Sequence, residues 1–453
     1  MKFKENLYQK LPPLFQDISL AFESERIARR RYSAGFHKIL QEISKRDKLS
    51  KDELQAFQIK SLRHNLINSY EHTGYYHKLF DQHGFDPHCF NNIEELLKLP
   101  LQDKTTIKNN FPSIINQSFK GKQFQARTSG TSGSGFVFPE TVTAEHYQWS
   151  TWWRYRKNLG IELNSWCSVF GGRTIIPIHK QKPPFWKILP RLNQISYSMY
   201  HLNSSNARYF IKDMNQRKVE WIHGYPSTLS SLASLMKEQN VHLDFPLKII
   251  TTGAENLLDH QRIVIYEVFG VEPYQHYGLS EPVANISECE YHKLHIDEDY
   301  SLVELLVVPG SENKFRLVGT SISNEILLFL RYDTGDIVTL ADDQSCPCGR
   351  NGRIVESIDG RREDFITLSD GTRIGRLDHI FKDQTNVVEA QIRQEKSGRI
   401  VFCIVKNQLY ATDDERRLIS EIKSRLGFSA FEIIYSDHIE KTSTGKLRFV
   451  IAE

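Results

Sequence analysis

Nine consecutive residues, Arg127-Thr128-Ser129-Gly130-Thr131-Ser132-Gly133-Ser134-Gly135, hold three glycines, three serines and two threonines. Glycine permits positive φ and close backbone approach. Such a run can turn several backbone N–H groups toward one point, and its hydroxyls add donors. A nest of this kind suits a polyphosphate. Ser/Gly composition alone would also describe a flexible linker. Two familiar phosphate loops are excluded. A mononucleotide P-loop needs Lys and a hydroxyl residue after its second spaced Gly, whereas Phe136 and Val137 follow Gly135. A kinase glycine loop needs H-R-D and D-F-G strings downstream, and neither occurs.

Other residues of the right chemistry follow in order: Tyr277-Gly278-Leu279-Ser280-Glu281, Tyr332-Asp333-Thr334-Gly335-Asp336, Gly360-Arg361 and Thr444-Gly445-Lys446. Each has a bland reading when taken alone. Glu281 would be a surface carboxylate in a turn, Arg361 a solvated residue at a domain junction, and Lys446 a solvated lysine near a C-terminus. A separate set is Cys346-Pro347-Cys348 with the earlier Cys289 and His292 or His295. Three thiolates and one imidazole make a closed tetrahedral Zn²⁺ site, which leaves no open position and is structural. The alternative is four buried or idle side chains.

In this order and at these separations the four strings resemble the adenylate-forming superfamily of acyl-CoA synthetases, luciferases and peptide-synthetase adenylation domains. Within it they resemble the phenylacetate–CoA ligase family and its capsular-polysaccharide-cluster branch. The resemblance covers nearly the whole chain. It implies that Thr128, Ser129, Gly130, Thr131, Ser132 and Gly133 cradle the β- and γ-phosphates of ATP. Ser134 stands where family loops often carry Lys, so part of the phosphate charge must be met elsewhere. Gly253, Ala254 and Glu255 resemble the loop lining the adenine pocket, and Tyr277, followed by Gly278, the aromatic that stacks on adenine. Ser280 matches the hydroxyl facing the α-phosphate. Glu281 matches the carboxylate that holds Mg²⁺, a hard cation that takes oxygen ligands. Asp336 matches the acceptor of both ribose hydroxyls, a pair of donors that a carboxylate suits. Arg361 matches a second ribose and phosphate contact. Lys446 lies in Lys441–Arg448, which resembles the mobile loop that brings a flexible point charge to the acyl carboxylate and α-phosphate. The family's pivot acid falls at Glu363, with Asp364 next. The Leu294-His295-Ile296 string matches the family's zinc-ligating histidine, which favours His295 over His292.

The chemistry these parts serve is activation of a carboxylic acid. A carboxylate is a poor electrophile, and joining it to AMP gives it a good leaving group. Charge then gathers around the α-phosphate as pyrophosphate departs, and fixed donors, cations and a metal must meet it. The expected second step is acyl transfer to coenzyme A. Alternatives are transfer to an amine or hydroxyl of a sugar in surface-polysaccharide synthesis, and, from another class, a degenerate zinc-stabilised interaction protein. Residues His223–Ser227, Phe170–Gly172 and Gly253 are expected to line the acid pocket, where Tyr225 points to an aromatic or apolar acid.

Composition bounds the rest. The chain has 453 residues, 40% hydrophobic and 25% charged, as in a globular protein of more than one domain. A net charge of +3 argues against a nucleic-acid partner. No apolar run reaches the ~18–20 residues of a spanning helix, and no signal-peptide core is present, so no membrane insertion and a cytoplasmic location are expected. Six cysteines in this length are not a disulfide framework. The expected fold is α/β, in two parts. Residues 1–359 form the adenylate-forming domain, helical over about 1–120 with an α/β core over about 121–359. Residues 360–453 form a small mobile α+β domain. Strands and helices alternate from Phe124 to Ser357, as in a largely parallel sheet.

Overall fold

Leu62 and Leu66 recur at helical spacing on a stripe with Ile59 and Tyr70, and they lie in the helix Lys51–His72. Its start is the expected capping box: Ser50 N–H donates to the Glu53 carboxylate at 2.8 Å, and Glu53 N–H to the Ser50 hydroxyl at 3.3 Å. The next helix, Gly74–Gln82, stops at His83 as the His-Gly-Phe-Asp-Pro string predicts. The structure, a computed structural model, describes residues 8, 10–127, 136–173, 175–177, 180–361, 366–368, 373–374, 377–381, 384–426, 430–442 and 445–452. Two compact units emerge. One gathers Met1–Arg26, Asn164–Gln275 and Arg362–Glu453, and the other Ile27–Leu163 and His276–Arg361.

In the first unit the expected parallel sheet is present. Strands Ile249–Gly253, Trp221–Gly224, Cys167–Gly171 and Gln194–Ser198 lie side by side and parallel. Trp186–Leu189 closes that edge antiparallel. Helix Pro226–Glu238 buries Leu229, Leu232 and Met236 against Phe170, Ile222 and Ile250. The C-terminal residues build an α+β piece within this unit. Val387–Gln394 and Ile400–Lys406 pair as a hairpin around the expected Lys396-Ser397-Gly398 turn. Phe431–Tyr435 and Val450–Ala452 add parallel strands on either side. Helix Thr412–Leu426 covers them with Leu418, Ile422 and Leu426, the face its spacing predicts. This piece packs on helix Pro226–Glu238 through strand Val387–Gln394.

In the second unit the alternation expected up to Ser357 does not continue. From His276 to Arg361 the strands are antiparallel, including Asn285–Glu288, Leu294–Ile296, Ser301–Val307, Lys314–Ser321, Tyr332–Leu340 and Ile354–Arg361. No helix lies between these strands among the described residues, and neighbouring strands of the sheet reverse direction. The N-terminal helices contribute Leu62, Leu66, Tyr76 and Phe80 to a core shared with Phe138, Leu302 and Phe329.

One buried charge ties this unit together. Arg154, on helix Val142–Asn158, is 2% exposed. Its guanidinium donates to Asp299 at 2.8 and 2.9 Å and to Asp297 at 2.8 Å, and lies 3.1 Å from Asp47. Arg350 joins from the other side, 2.8 Å from Asp297. Removing one member of a buried charge set strands the others. Arg154→Met is therefore expected to lower unfolding stability by about 3–5 kcal/mol, read from the denaturant midpoint. A loss within about 0.5 kcal/mol, the usual range of a surface substitution, would show that the network is not a structural keystone.

Candidate active site

Two of the predicted strings meet by exchanging hydrogen bonds. Tyr277, at the end of strand Pro273–Gly278, donates its phenol to Asp336 Oδ2 at 2.6 Å. Tyr332, at the start of strand Tyr332–Leu340, donates its phenol to Glu281 Oε1 at 3.3 Å. The first residue of each string thus holds the last residue of the other. Both carboxylates are largely buried, Glu281 at 8% and Asp336 at 6% exposure. The shape of the second string makes this reach possible. Gly335 has φ +77°, a conformation open to glycine. Thr334 donates its hydroxyl to Leu317 O at 2.8 Å, and the pairing register shifts between Arg316 and Val318. This bulge re-aims Asp336. Arg361 lies directly opposite Asp336 in the antiparallel pairing. Ser280 and Gly278 flank the same turn, with Ser280 half-buried.

A second layer fixes the strand that carries Tyr277. The neighbouring His276 is hydrogen-bonded through Nε2 to Asn285 Oδ1 at 2.9 Å, and Trp152 donates to the same oxygen at 3.0 Å. Asn285 in turn donates to Asp297 at 2.6 Å. Desolvation drives the His276 imidazole down to about 4, so it is neutral at pH 7.

In the first unit, Gly253 ends the strand Ile249–Gly253, and Ala254 takes φ +69°, an unusual conformation for a residue with a side chain. That turn aims Glu255. Its carboxylate accepts from Ser227 N–H at 3.2 Å and from Leu447 N–H at 2.9 Å. The Lys446 segment is folded tightly: Thr442 N–H donates to Lys446 O at 2.9 Å, Gly445 N–H to Thr442 O at 2.8 Å, and Lys446 N–H to the Thr442 hydroxyl at 3.0 Å. Lys441 pairs with Glu389 at 2.6 Å, which anchors the segment to the C-terminal sheet. In the expected acid pocket, His223 Nδ1 lies 3.0 Å from the Thr251 hydroxyl, to which Trp221 also donates at 2.9 Å. Tyr225 caps the helix that starts at Pro226.

The cysteines converge. The ligand atoms of Cys289, His295, Cys346 and Cys348 all lie within 4.8 Å of one another. Cys289 Sγ is 3.6 Å from Cys346 Sγ, and Cys348 Sγ is 3.4 Å from His295 Nε2. Tetrahedral ligation with Zn–S of about 2.3 Å would place sulfurs about 3.7 Å apart, so the donor set fits a zinc ion. The Cys289–Lys293 turn supplies one thiol and strand Leu294–Ile296 the imidazole, while the loop ahead of strand Ile354–Arg361 supplies the other two. Arg350 N–H points to Cys348 Sγ at 3.5 Å, a donor that suits a thiolate. His292 is elsewhere: its Nδ1 pairs with Glu288 at 2.8 Å. Burial drives the His295 imidazole down to about 4, which keeps it in the neutral, ligating form.

Thr128, Ser129, Gly130, Thr131, Ser132 and Gly133 lie outside the described residues, as do Glu363 and Asp364. The strands on either side of the glycine loop are described: Gln123–Arg127 and Val137–Thr141 pair antiparallel, with Arg127 opposite Val137. The sequence reading missed Tyr332 as the partner of Glu281, and Glu255 as a link to Leu447. The first had a signal, because both strings begin with Tyr and end with an acid four residues on. The second had none, because 192 residues separate Glu255 from Leu447.

The fold is that of the adenylate-forming ligases. A solved 2-hydroxyisobutyryl-CoA ligase, in complex with 2-HIB-AMP, superposes with a TM-score of 0.70 over 90% of this chain and 91% of that one, at 17% identity. Within that class, the chain is similar to Protein CapK of Staphylococcus aureus, 24% identical over 450 residues and 98% of each chain. A phenylacetate-coenzyme A ligase of Thermus thermophilus is 25% identical over 71% of this chain and 73% of its own. Residues 366–453 match the CapK C-terminal domain. These likenesses bear out the resemblance carried by the four strings. Among the described residues, no helix is long and apolar enough to cross a membrane.

The cysteine–histidine set makes a direct prediction. Purified protein should carry about one zinc per chain by elemental analysis. Cys346→Ser should lose it and melt earlier, because binding of a structural metal adds to folding free energy. A metal-free wild type with unaltered thermal stability would rule the site out.

Proposed function

We propose that this chain activates a carboxylic acid with ATP and passes the acyl group to the thiol of coenzyme A. The reading is carried by the reciprocal Tyr277–Asp336 and Tyr332–Glu281 bonds. They unite, as one fixed group, the two strings that the resemblance ties to Mg²⁺ and ribose. The fold likeness to a CoA ligase bound to an acyl-adenylate supports it.

In the first step a carboxylate oxygen of the acid bonds to the α-phosphorus, the bond to the β-phosphate oxygen breaks, and pyrophosphate leaves. In the second the thiol sulfur bonds to the carbonyl carbon, the carbon–oxygen bond to AMP breaks, and the thiol proton is released. Lys446 brings a cation to the α-phosphate, where charge gathers. Glu281 would hold Mg²⁺, which supplies charge neutralisation at the phosphates. Asp336 takes the ribose hydroxyls, Tyr277 stacks on adenine, and Arg361 adds a ribose and phosphate contact. Ser280 donates toward the α-phosphate, and the 128–133 loop cradles the other two. Gly253 and Ala254 form the floor of the adenine pocket. Residues 360–453 act as the mobile domain, turning about the Asp359–Asp364 junction after adenylation. Cys289, His295, Cys346 and Cys348 hold a structural zinc ion.

The test is a pyrophosphate-release screen over a panel of carboxylic acids, aromatic ones included. One or more acids should drive release, and Lys446→Ala should lower it about 10²–10³-fold while ATP binding persists, the loss typical of a fixed charge donor. Unchanged release in that variant would remove Lys446 from the chemistry. With the best acid, CoA should accelerate AMP release. Acceleration by an amino sugar and not by CoA would overturn the thiol acceptor.

A further inference from the structure

The carboxylate of Glu255 occupies a position that lining an adenine pocket does not require. One oxygen accepts from Ser227 N–H, in the first turn of helix Pro226–Glu238. That end of the helix carries partial positive charge and favours an anion. The other oxygen accepts from Leu447 N–H, the residue next to Lys446. A single side chain thus spans from a rigid helix to the segment that carries the lysine. Further features place the two in register. Ala254, directly before Glu255, is held at φ +69°, and such local strain persists only where the surroundings fix it. Gly445, directly before Lys446, has φ +77° and is seated so closely that a Cβ there would fall 2.8 Å from Met199 Sδ and 2.9 Å from Gly172 Cα. The backbone at Gly445 is thus seated against Met199 and Gly172 where Glu255 holds Leu447.

Resting on the adenylation reading above, we infer that Glu255 is a positioning residue: it latches the backbone at Leu447 to the N-terminus of helix Pro226–Glu238 and so sets where Lys446 stands. Burial pushes the Glu255 carboxyl up, opposed by its bonds to Ser227 and Leu447 and by the charge of Lys441. Those same bonds are the ones the latch needs. Release of the segment requires that the Leu447 N–H bond to Glu255 be exchanged for water. A latch of this strength can hold the lysine during one half-reaction and free it for the next.

The experiment compares wild type, Glu255→Ala and Glu255→Gln, each with and without Lys446→Ala. The first readout is independent of catalysis: amide hydrogen exchange in the 445–452 segment. It should speed up at least 10-fold in Glu255→Ala and less in Glu255→Gln, whose amide oxygen still accepts one bond. Unchanged exchange in Glu255→Ala would overturn the latch whatever the activity proves to be. The second readout is adenylation with the best acid. Glu255→Ala should lower kcat about 10–100-fold, the scale of a catalytic group displaced by about 1 Å, with KM for ATP within about 2-fold. In the Lys446→Ala background the same change should cost little more, because residues that act as a unit are not additive. A raised KM for ATP with additive losses would show that Glu255 acts on adenine directly, and the latch would be wrong. An enzyme that releases no pyrophosphate with any acid, yet shows the exchange difference, would count against the adenylation reading and leave the latch standing.

Discussion

Two buried carboxylates of the second unit, Glu281 and Asp336, are each held by a phenol. In the proposed nucleotide site one acid would serve a hard cation and the other a pair of hydroxyls. An arginine partner would fix an acid but also neutralise it. A phenol donates one hydrogen bond and brings no charge. Tyr277 and Tyr332 do this for Asp336 and Glu281, each from the opposite string. The exchange has a geometric cost, since both strings must face each other with matched lengths. The bulge around Leu317 and the left-handed Gly335 meet it by turning the second string inward.

Behind the strand of Tyr277 lies a network of buried polar groups. His276 is kept uncharged by burial and is pinned by Asn285, which Asp297 orients. Asp297 is in turn held by Arg154 and Arg350. Desolvation works against its charge, but the two guanidiniums together with the hydrogen bonds from Asn285 and Ser287 keep the carboxyl below its ordinary range. Arg350 lies two residues from Cys348, so the cysteine–histidine set and the strand of Tyr277 share one hydrogen-bonded framework. With the proposed metal in place, the closed donor set would stiffen the loop that carries Arg350 into the core.

How much of this the sequence disclosed depended on range. Elements with a local cause were legible: the Ser50–Glu53 capping box, the stop at His83, the hairpin at Ser397-Gly398, and the helix whose face is Leu418, Ile422 and Leu426. The parallel strands of residues 167–253 followed from alternation of apolar strands with helices. The antiparallel run of 276–361 was missed, because apolar strands in either arrangement read alike once buried on both faces. The candidate site residues were read as strings, and two of those strings are hydrogen-bonded to each other in the structure. What no string carries is a side chain that reaches across the fold. Glu255 meets Leu447 and Arg154 meets Asp297 only after the chain has closed loops of more than a hundred residues. The choice of His295 over His292 lay within reach of the sequence: spacing allowed both, the Leu294-His295-Ile296 string favoured His295, and it is the His295 imidazole that lies beside the thiols.

In the proposed reaction the acid's own oxygen becomes bonded to the α-phosphorus before the acyl group moves on. Isotope transfer tests this most directly. An acid that supports turnover is labelled with ¹⁸O in its carboxylate and consumed with ATP and CoA, and the products are weighed by mass spectrometry. AMP should carry one labelled oxygen per acyl group transferred, with pyrophosphate unlabelled. Unlabelled AMP, or label recovered in inorganic phosphate beside ADP, would contradict it.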